Sequence, residues 1–358
     1  MKKISSKVMS LVLAGLMAVS LTGCGGEKKA ADSGKAASGE FAKLKEVTLI
    51  GADTASKGAA GQLFGELVAK NAEKITGGKL KIDYHPNGDL GGDEDLLRQM
   101  KSNDIQIVVS QTAPVASLVP EVGVFDLPMV FAKYKGATID KVLNGDGPFK
   151  KALSAGYEKA GFHYLGILQN ATYRLTSANT DLKTLDNYKG LKIRTMSNKN
   201  HMAFWTAIGA NPTPLAFSEL YFALQSGTVN AEENAADTIV GGNFNEVQKH
   251  LACTNHILYA NQISMNKKAY DSLDPAYQKA LNQAVSQALK EMEPKLAEIE
   301  KKNLDTLKTK GMNIITYDKA FFDKVLAIPA VKELYKTIDG QVNGLGTTLV
   351  QELDKADK

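Results

Sequence analysis

From about residue 44 the chain alternates short runs of β-branched residues with stretches whose apolar residues recur at helical spacing. The first elements lie, in the order strand, helix, strand, helix, strand, at 47–51, 61–75, 79–84, 93–102 and 105–110. Further strand-like runs follow at 163–169, 172–177, 191–196 and 229–234. Strands that alternate with helices are typical of α/β layers with a largely parallel sheet. The pattern therefore predicts two α/β domains of ordinary size.

A long helical stretch begins at Asp274-Pro275 and runs to Gly311. An Asp cap, a Pro at the first helical position and a Gly at the stop are the terminal signals of a single helix. Its length exceeds the average of about 11 to 12 residues several-fold, so we expect it to cross both domains. Pro294 should bend or break it near Glu293, because proline removes a backbone hydrogen bond and clashes with the preceding turn.

The first residues have the pattern of an export signal, predicted here over 1–23. Lys2, Lys3 and Lys7 precede an apolar run over 8–21, which is too short to cross a hydrocarbon layer of about 30 Å as a permanent helix. The LTGC that closes the run resembles the bacterial lipoprotein box, in which the cysteine, here Cys24, is lipid-modified and becomes the first mature residue. An ordinary secretory signal with a chance cysteine is the alternative.

Residues after the signal lack large apolar side chains as far as residue 40. Such a segment cannot bury a core, so we expect 24–43 to be a flexible tether. Several acyl chains on Cys24 would hold the body at a membrane surface. The predicted location is therefore extracytoplasmic and lipid-anchored to the cell membrane.

Charge and cysteine content narrow the class of protein further. The whole chain has a formal charge of +4, and removal of a signal with three lysines and no acids leaves +1. A net charge this small gives no indication of a basic surface that would bind nucleic acid. Cys253 is the one thiol left after lipidation, so no internal disulfide is possible. Its apolar surroundings predict a buried, inert thiol.

Catalytic and cofactor motifs are absent from the sequence. The five histidines have no close ligand spacing, and GxSxG, GxxxxGK[ST] and GxGxxG do not occur. An acidic cluster, Asp89, Asp93, Glu94 and Asp95, lacks the full calcium-loop spacing and is better explained by the preference of acids for the first turn of a helix. We therefore predict no catalytic residues, no metal and no cofactor.

Polar residues at predicted strand ends favour a binding protein instead. Arg194 lies in the strand-like LKIRTM, Arg174 lies in TYRLTS, and Asn234 ends a third strand, with Trp205 and Phe217 between them in the chain. Side chains at strand ends project into the crevice beyond a sheet. A strand arginine taken alone is more often one half of a surface ion pair, but the combination indicates an anion-binding wall.

An ordered set of motifs carries a resemblance to the solute-binding receptors of tripartite ATP-independent periplasmic (TRAP) transporters, the DctP family. The set comprises NGDLGGDEDLLRQMKSNDIQIVV, VFDLPMVF, GLKIRTM, GANPTPLAFSELYFALQSGTVNAEEN and NFNEVQKHLACTNHILY. It covers nearly the whole chain after the tether. The resemblance implies a periplasmic-binding-protein-like fold of two α/β domains joined by hinge strands, with the long helix spanning both.

The resemblance also implies roles for four residues. The arginine that binds the ligand carboxylate corresponds to Arg194, its supporting asparagine to Asn234, the aromatic residue over the ligand to Phe217, and a second arginine to Arg174. The glycine of the family's turn before the asparagine is Ala231 here. Two arginines suit a carboxylate because each guanidinium offers a planar fork of donors. Arg174 could instead pair with an internal acid.

The opposite wall is expected from the first domain. Asp53 and Thr54 follow the strand at 47–51, and Gln111 and Thr112 follow the strand at 105–110. Ligands of open α/β sheets bind where parallel strands end. These residues would decide which hydroxyl or second acid is recognised.

The sequence therefore predicts a receptor that closes on a small organic acid and delivers it to TRAP membrane subunits. The ligand would be a sugar acid, a sialic acid or a C4-dicarboxylate. Two alternatives are an extracytoplasmic enzyme that uses Glu219, Glu232 or Glu233, and a receptor that feeds a sensor kinase. The predicted divisions are a signal at 1–23, a tether at 24–43, domain I at 44–171, 260–299 and 327–358, and domain II at 172–259 and 300–326.

Overall fold

The computed structural model describes residues 39–169 and 171–358. The predicted signal, the lipidation site Cys24 and most of the predicted tether lie outside the described residues. Gly39–Phe41 form a 3₁₀ turn, and the buried Phe41 ring stacks on Tyr277 with centroids 6.0 Å apart. The folded body thus begins before residue 43, where the predicted tether ends, because this aromatic ring packs into the core.

The described residues form two β-sheets. Their strands are β1 (Val47–Ala52), β2 (Leu80–His85), β3 (Ile107–Gln111), β4 (Phe162–Leu168), β5 (Leu175–Ala178), β6 (Lys192–Thr195), β7 (Asn211–Pro214), β8 (Ala231–Asn234), β9 (His250–Ala252), β10 (Asn261–Asn266) and β11 (Asn313–Ile315). The first sheet has the order β2-β1-β3-β10-β4 and the second β11-β9-β5-β8-β6-β7. The strand predicted at 163–169 corresponds to β4 of the first sheet, and those predicted at 172–177, 191–196 and 229–234 correspond to β5, β6 and β8 of the second. Strands β7, β9, β10 and β11 were not predicted, and the exact domain boundaries stay a prediction.

Helices cover the sheets. They are α1 (Ala60–Ile75), α2 (Asp93–Ser102), α3 (Thr112–Val115), α4 (Gly136–Asn144), α5 (Pro148–Ala160), α6 (Lys199–Ala207), α7 (Phe217–Gln225), α8 (Ala236–Gly241), α9 (Lys267–Ser272), α10 (Pro275–Thr309), α11 (Lys319–Ala327), α12 (Pro329–Gln341) and α13 (Leu345–Ala356). No helix of the described residues combines the length and the apolar composition needed to cross a membrane.

Both sheets are mixed, with five parallel and four antiparallel strand pairs among the described residues, so the largely parallel sheet that the sequence predicted is only partly present. β1 is parallel to β2 and β3 in the first sheet, and β6 is parallel to β7 and β8 in the second. β10 is antiparallel to both β3 and β4. Four residues of β3 in succession are buried, as expected for a strand of a sheet with both faces covered.

The long helix packs on both halves of the molecule. α10 contacts α1 beside the first sheet and α8 beside the second. Phe64, Val68 and Ala72 recur every four residues on the buried side of α1, and the apolar cluster they join includes Ala284 and Ala288 of α10. This spacing places one side of each helix against its neighbour.

Proline does not end the long helix. α10 continues through Pro294 to Thr309, so the break predicted near Glu293 is absent. Met292 and Leu296 on either side of the proline are buried. Their tertiary packing offsets the loss of one backbone hydrogen bond, because tertiary contacts routinely override local propensity.

Candidate functional site

A cavity lies where parallel strands of the two sheets end. Thr54 follows β1 and Gln111 ends β3 on one side, while Arg194 of β6 and Asn234 at the end of β8 lie on the other. The cavity holds about 470 Å³ of space free of protein atoms, its mouth included. Side chains from both sheets therefore converge at the edge where α/β proteins bind ligands.

Arg194 has a guanidinium nitrogen without a protein acceptor. Its side chain is 2% exposed, and its Nε and Nη2 donate to the carbonyl oxygen of Leu215 at 3.0 and 2.9 Å. Nη1 is buried and makes no hydrogen bond to any described residue. Burial, and then the positive charge of Arg174, lower the pKa of Arg194 to about 10. An anion beside Nη1 would remove the cost of this unpaired buried donor.

Arg174 is in a different environment. Its Nε and Nη2 donate to the carboxylate of Glu233, Nη2 also reaches Asn234 Oδ1 at 3.1 Å, and Nη1 donates to Gln111 Oε1. All three guanidinium nitrogens thus have protein acceptors, and Arg174 does not line the cavity. Arg174 thus has the internal acid partner that the sequence left open as an alternative, and its direct contact with a ligand carboxylate stays a prediction.

Glu233 lies at the centre of a buried ionic network. Besides Arg174, it accepts from His256 Nε2 at 3.1 Å and lies 3.3 Å from His201 Nδ1. Burial opposes ionisation, yet the charges of Arg174 and His201 hold the pKa of Glu233 well below its usual range. Burial also disfavours the charged form of His201, but Glu233 and Asp126 together raise its pKa to about 9. The network therefore pairs buried charges of opposite sign.

Glu232 lies behind the cavity wall and holds Asn234, a residue that lines the cavity, in one orientation. Burial raises the pKa of Glu232 to about 7, against the hydrogen bonds that it accepts from Ser177 Oγ at 2.5 Å and Asn234 Nδ2 at 2.6 Å. Asn234 Oδ1 in turn accepts from Arg174. Both ends of the Asn234 amide are thus held by buried neighbours, which orients the side chain beside Arg194.

The first-domain residues predicted to face the ligand divide into two pairs. Thr54 and Gln111 line the cavity, whereas Asp53 and Thr112 do not. Asp53 lies behind the wall, where its carboxylate accepts from Tyr84 Oη at 2.6 Å and from a backbone N–H at 2.8 Å. Burial raises the pKa of Asp53 to about 6, although these hydrogen bonds oppose the shift. Thr112 is buried at the start of α3.

Asp93 is the main residue of the cavity that the sequence analysis did not assign to it. It is the first residue of α2, as the helix-start interpretation predicted, and it also lines the cavity. Its Oδ1 accepts from Thr54 Oγ1 at 2.6 Å. Burial raises the pKa of Asp93, while the Thr54 hydrogen bond and the charges of Arg194 and Arg174 oppose that shift.

Further cavity residues were not predicted. Ser56, Gly61, Ser110, Thr238, Tyr259 and Asn261 line the wall with Val109, Met196 and Ala55. Ser110 lies in β3 and Asn261 begins β10, so their place at a strand end is the signal that could have found them. Gly61 allows Asn261 to approach α1, because a Cβ at that position would lie 2.8 Å from Asn261 Oδ1.

The two aromatic residues between the predicted polar groups have different positions. Phe217 is the first residue of α7 and lines the cavity, with its ring edge-on to Phe244 at 5.8 Å. Trp205 is fully buried in the core against Phe204 and His256. Of these two residues, therefore, Phe217 lies at the cavity and Trp205 packs behind the wall.

The carboxylates of the enzyme alternative do not line the cavity. Glu232 and Glu233 are buried in β8 and bonded to protein groups, and Glu219 is in the exposed first turn of α7. The cavity instead presents one guanidinium and the carboxylate of Asp93 together with amide and hydroxyl groups, a set that suits reversible binding of a polar anion.

Comparisons with known proteins agree with this geometry. The sequence profile of the family described as bacterial extracellular solute-binding protein, family 7 (DctP), matches residues 51–354. A solute-binding protein of Verminephrobacter eiseniae is 34% identical over 260 residues, which is 72% of this chain and 76% of that protein. The C4-dicarboxylate-binding periplasmic protein DctP of Rhodobacter capsulatus is 30% identical over 303 residues, 83% of this chain and 88% of that protein.

A solved structure has the same fold. The sugar acid binding protein DctPAm of Advenella mimigardefordensis, in complex with galactonate, aligns with a TM-score of 0.80 at 25% identity. The alignment covers 87% of this chain and 99% of that one. The predicted two-domain, periplasmic-binding-protein-like fold is thereby confirmed, and the chain belongs to the DctP family of extracellular solute-binding proteins, the TRAP receptors that its motifs resemble.

Proposed function

We propose that this protein captures an organic anion through a carboxylate bound at Arg194 and delivers it to TRAP membrane subunits. The observation that carries the proposal is that Arg194 lines the cavity and has a buried Nη1 with no acceptor among the described residues. A carboxylate oxygen there would form a charge-assisted hydrogen bond. Asn234, oriented beside it, offers the neighbouring polar contact.

Domain closure follows from the position of these groups. Thr54 and Gln111 belong to the side of the first sheet, and Arg194 and Asn234 to the side of the second. A ligand that contacts both sides stabilises the arrangement in which they are close, as in other hinge-closing receptors. Two relatives support an anionic solute: one is described as binding C4-dicarboxylates, and one was solved with galactonate.

The test is a binding titration of wild-type protein and Arg194→Ala against a panel of carboxylates by isothermal titration calorimetry. Truncation of a buried charge-pair partner costs about 2 to 5 kcal/mol, which corresponds to roughly 30-fold to several-thousand-fold weaker binding. Arg98→Ala is the matched control, because Arg98 is exposed and pairs with Asp95 away from the cavity. An unchanged dissociation constant in Arg194→Ala would refute the carboxylate assignment.

Attachment to the membrane and delivery are separate parts of the proposal. Lipidation of Cys24 would place the body at the outer face of the cell membrane, within reach of membrane subunits. Cys24→Ser should then move the protein from the membrane fraction to the soluble extracytoplasmic fraction. Uptake of the bound solute should also require adjacent genes for the membrane subunits; an adjacent sensor kinase gene in their place would indicate signalling.

A further inference from the structure

The cavity wall carries one charge of each sign. Among the described residues that line it, Arg194 is the cation and Asp93 is the anion, and the others are neutral. Arg174 behind the wall is already paired with Glu233. One ligand carboxylate can therefore be neutralised at Arg194, but no second lining cation exists for another.

Asp93 has an oxygen available to a ligand. Its Oδ1 accepts from Thr54, whereas Oδ2 makes no hydrogen bond to any described residue. An ionised carboxylate only accepts hydrogen bonds. A ligand hydroxyl can donate to Oδ2, but a second ligand carboxylate cannot, and it would place a like charge in a partly buried site where salt screens poorly.

We infer that the solute is a hydroxylated monocarboxylate, such as an aldonate or a uronate, and that Asp93 excludes dicarboxylates of the same carbon skeleton. The inference rests on the proposed carboxylate site at Arg194 and names the class of solute bound there. Asn261, Tyr259 and Ser56 add neutral donors and acceptors around the cavity, which suit hydroxyl groups better than a second charge.

Matched pairs of acids test the inference, because each pair differs only at the terminal carbon. D-galactonate is compared with galactarate, and D-erythronate with meso-tartrate, by calorimetric titration at pH 7.5. We expect wild-type protein to bind at least one of the monocarboxylates, at least tenfold more tightly than its dicarboxylate partner. Asp93→Asn should weaken binding of that monocarboxylate and reduce the ratio to about threefold or less.

Glu94→Gln is the matched control, since Glu94 lies in the same first helical turn but is exposed and does not line the cavity. It removes the same charge from the start of α2 and should leave the ratio unchanged. Asp93→Ser provides a second neutral variant that keeps a side-chain oxygen at the helix start. Melting curves of the three variants establish that each is folded.

Three outcomes would overturn the inference: no binding of either monocarboxylate at millimolar concentration, a wild-type preference for the dicarboxylate, or a ratio that Asp93→Asn and Asp93→Ser leave unchanged. Arg194→Ala separates these from failure of the proposed function. If Arg194→Ala abolishes binding while the Asp93 variants keep the ratio, only the solute class is wrong. If Arg194→Ala binds as wild type does, the carboxylate site itself is wrong.

Discussion

Two adjacent glutamates of β8 provide the sharpest test of the buried charges. Glu232 and Glu233 are both fully buried, and conversion of either to glutamine is the same chemical change. Their environments are opposite: Glu233 is ionised against Arg174 and His201, whereas burial raises the pKa of Glu232 to about 7. We expect Glu233→Gln to be strongly destabilising, whereas Glu232→Gln should be nearly neutral at pH 5 and should stabilise the protein at pH 8, where the buried wild-type carboxyl has to ionise.

The magnitude for Glu233 follows from its partners. Glutamine would leave Arg174 and His201 buried without their main counter-charge, and breaking a buried pair in this way costs about 3 to 5 kcal/mol. A folded body of about 320 residues has an unfolding entropy near 0.7 kcal/mol/K. The melting temperature should therefore fall by about 4 to 8 °C.

Glu232 is expected to make the free energy of unfolding fall as pH rises. Its pKa is about 7 in the folded protein and 4.5 in the reference state, so the stability it contributes is fully present below pH 4.5 and is lost as pH rises through 7. The full loss amounts to about 3 kcal/mol. Glu232→Gln removes this dependence, because glutamine stays neutral, and it can still bond to Ser177 and Asn234.

Urea unfolding of the three proteins at pH 5 and pH 8, followed by circular dichroism, checks both expectations. The free energy of unfolding of Glu232→Gln should rise relative to wild type between the two pH values, while Glu233→Gln should be less stable than wild type at both. Equal losses in the two variants at pH 8 would refute the assignment of the buried charge to Glu233.

Two further predictions concern stability. Gly65→Ala should cost about 1 to 3 kcal/mol by overpacking, because a Cβ there would overlap the phenol of Tyr84 and displace it from Asp53; Gly340→Ala, at a helical glycine with open space around it, is the control, and equal melting temperatures would contradict the expectation. His201 has a folded pKa of about 9 against a reference of 6.5, so its stabilisation is fully present below pH 6.5 and is lost as pH rises through 9. The loss amounts to about 3 kcal/mol, and the difference in unfolding free energy between wild type and His201→Gln should shrink from pH 6 to pH 9.5; a constant difference would show that His201 is neutral.

The local pattern of the sequence predicted the early elements closely because each has a clear period. The helix predicted at 93–102 has those bounds, and the strand at 47–51 is one residue longer. The segment from α3 to α5 and the final helices received no prediction. Helices α4, α5, α12 and α13 in these segments bury one apolar face as α1 and α2 do, so a helical period was present there and was not interpreted; what the period could not show is which distant neighbours these faces pack against.

The two strand arginines show where sequence reasoning about the site stops. Arg174 and Arg194 have similar local settings, and only the fold distinguishes them. The antiparallel register of β5 and β8 pairs Leu175 with Asn234, which brings Glu233, 59 positions away, onto Arg174. Arg194 receives no such acid. The residues of a strand do not by themselves show whether its arginine will have an acid partner from another strand.

Asp93 shows a second limit of the same kind. The preference of acids for a helix start correctly explains its position in α2. A role at the helix start is compatible with a position in the cavity wall. The reason is that α2 begins close to Thr54, just beyond the end of β1. A residue can satisfy a local rule and contact a ligand at once, and only the tertiary arrangement shows the second role.

The order of strands in the first sheet also bears on how the chain folds. β10 lies between β3 and β4, and β4 has no other partner in that sheet. During synthesis, β4 therefore has no partner in this sheet until β10 has been made, after β5 to β9. The sheet is complete only after residue 266. Such late, long-range pairing slows folding. A fragment cut between the two sheets would leave an open strand edge on β3, so the first domain should not fold as an isolated N-terminal piece.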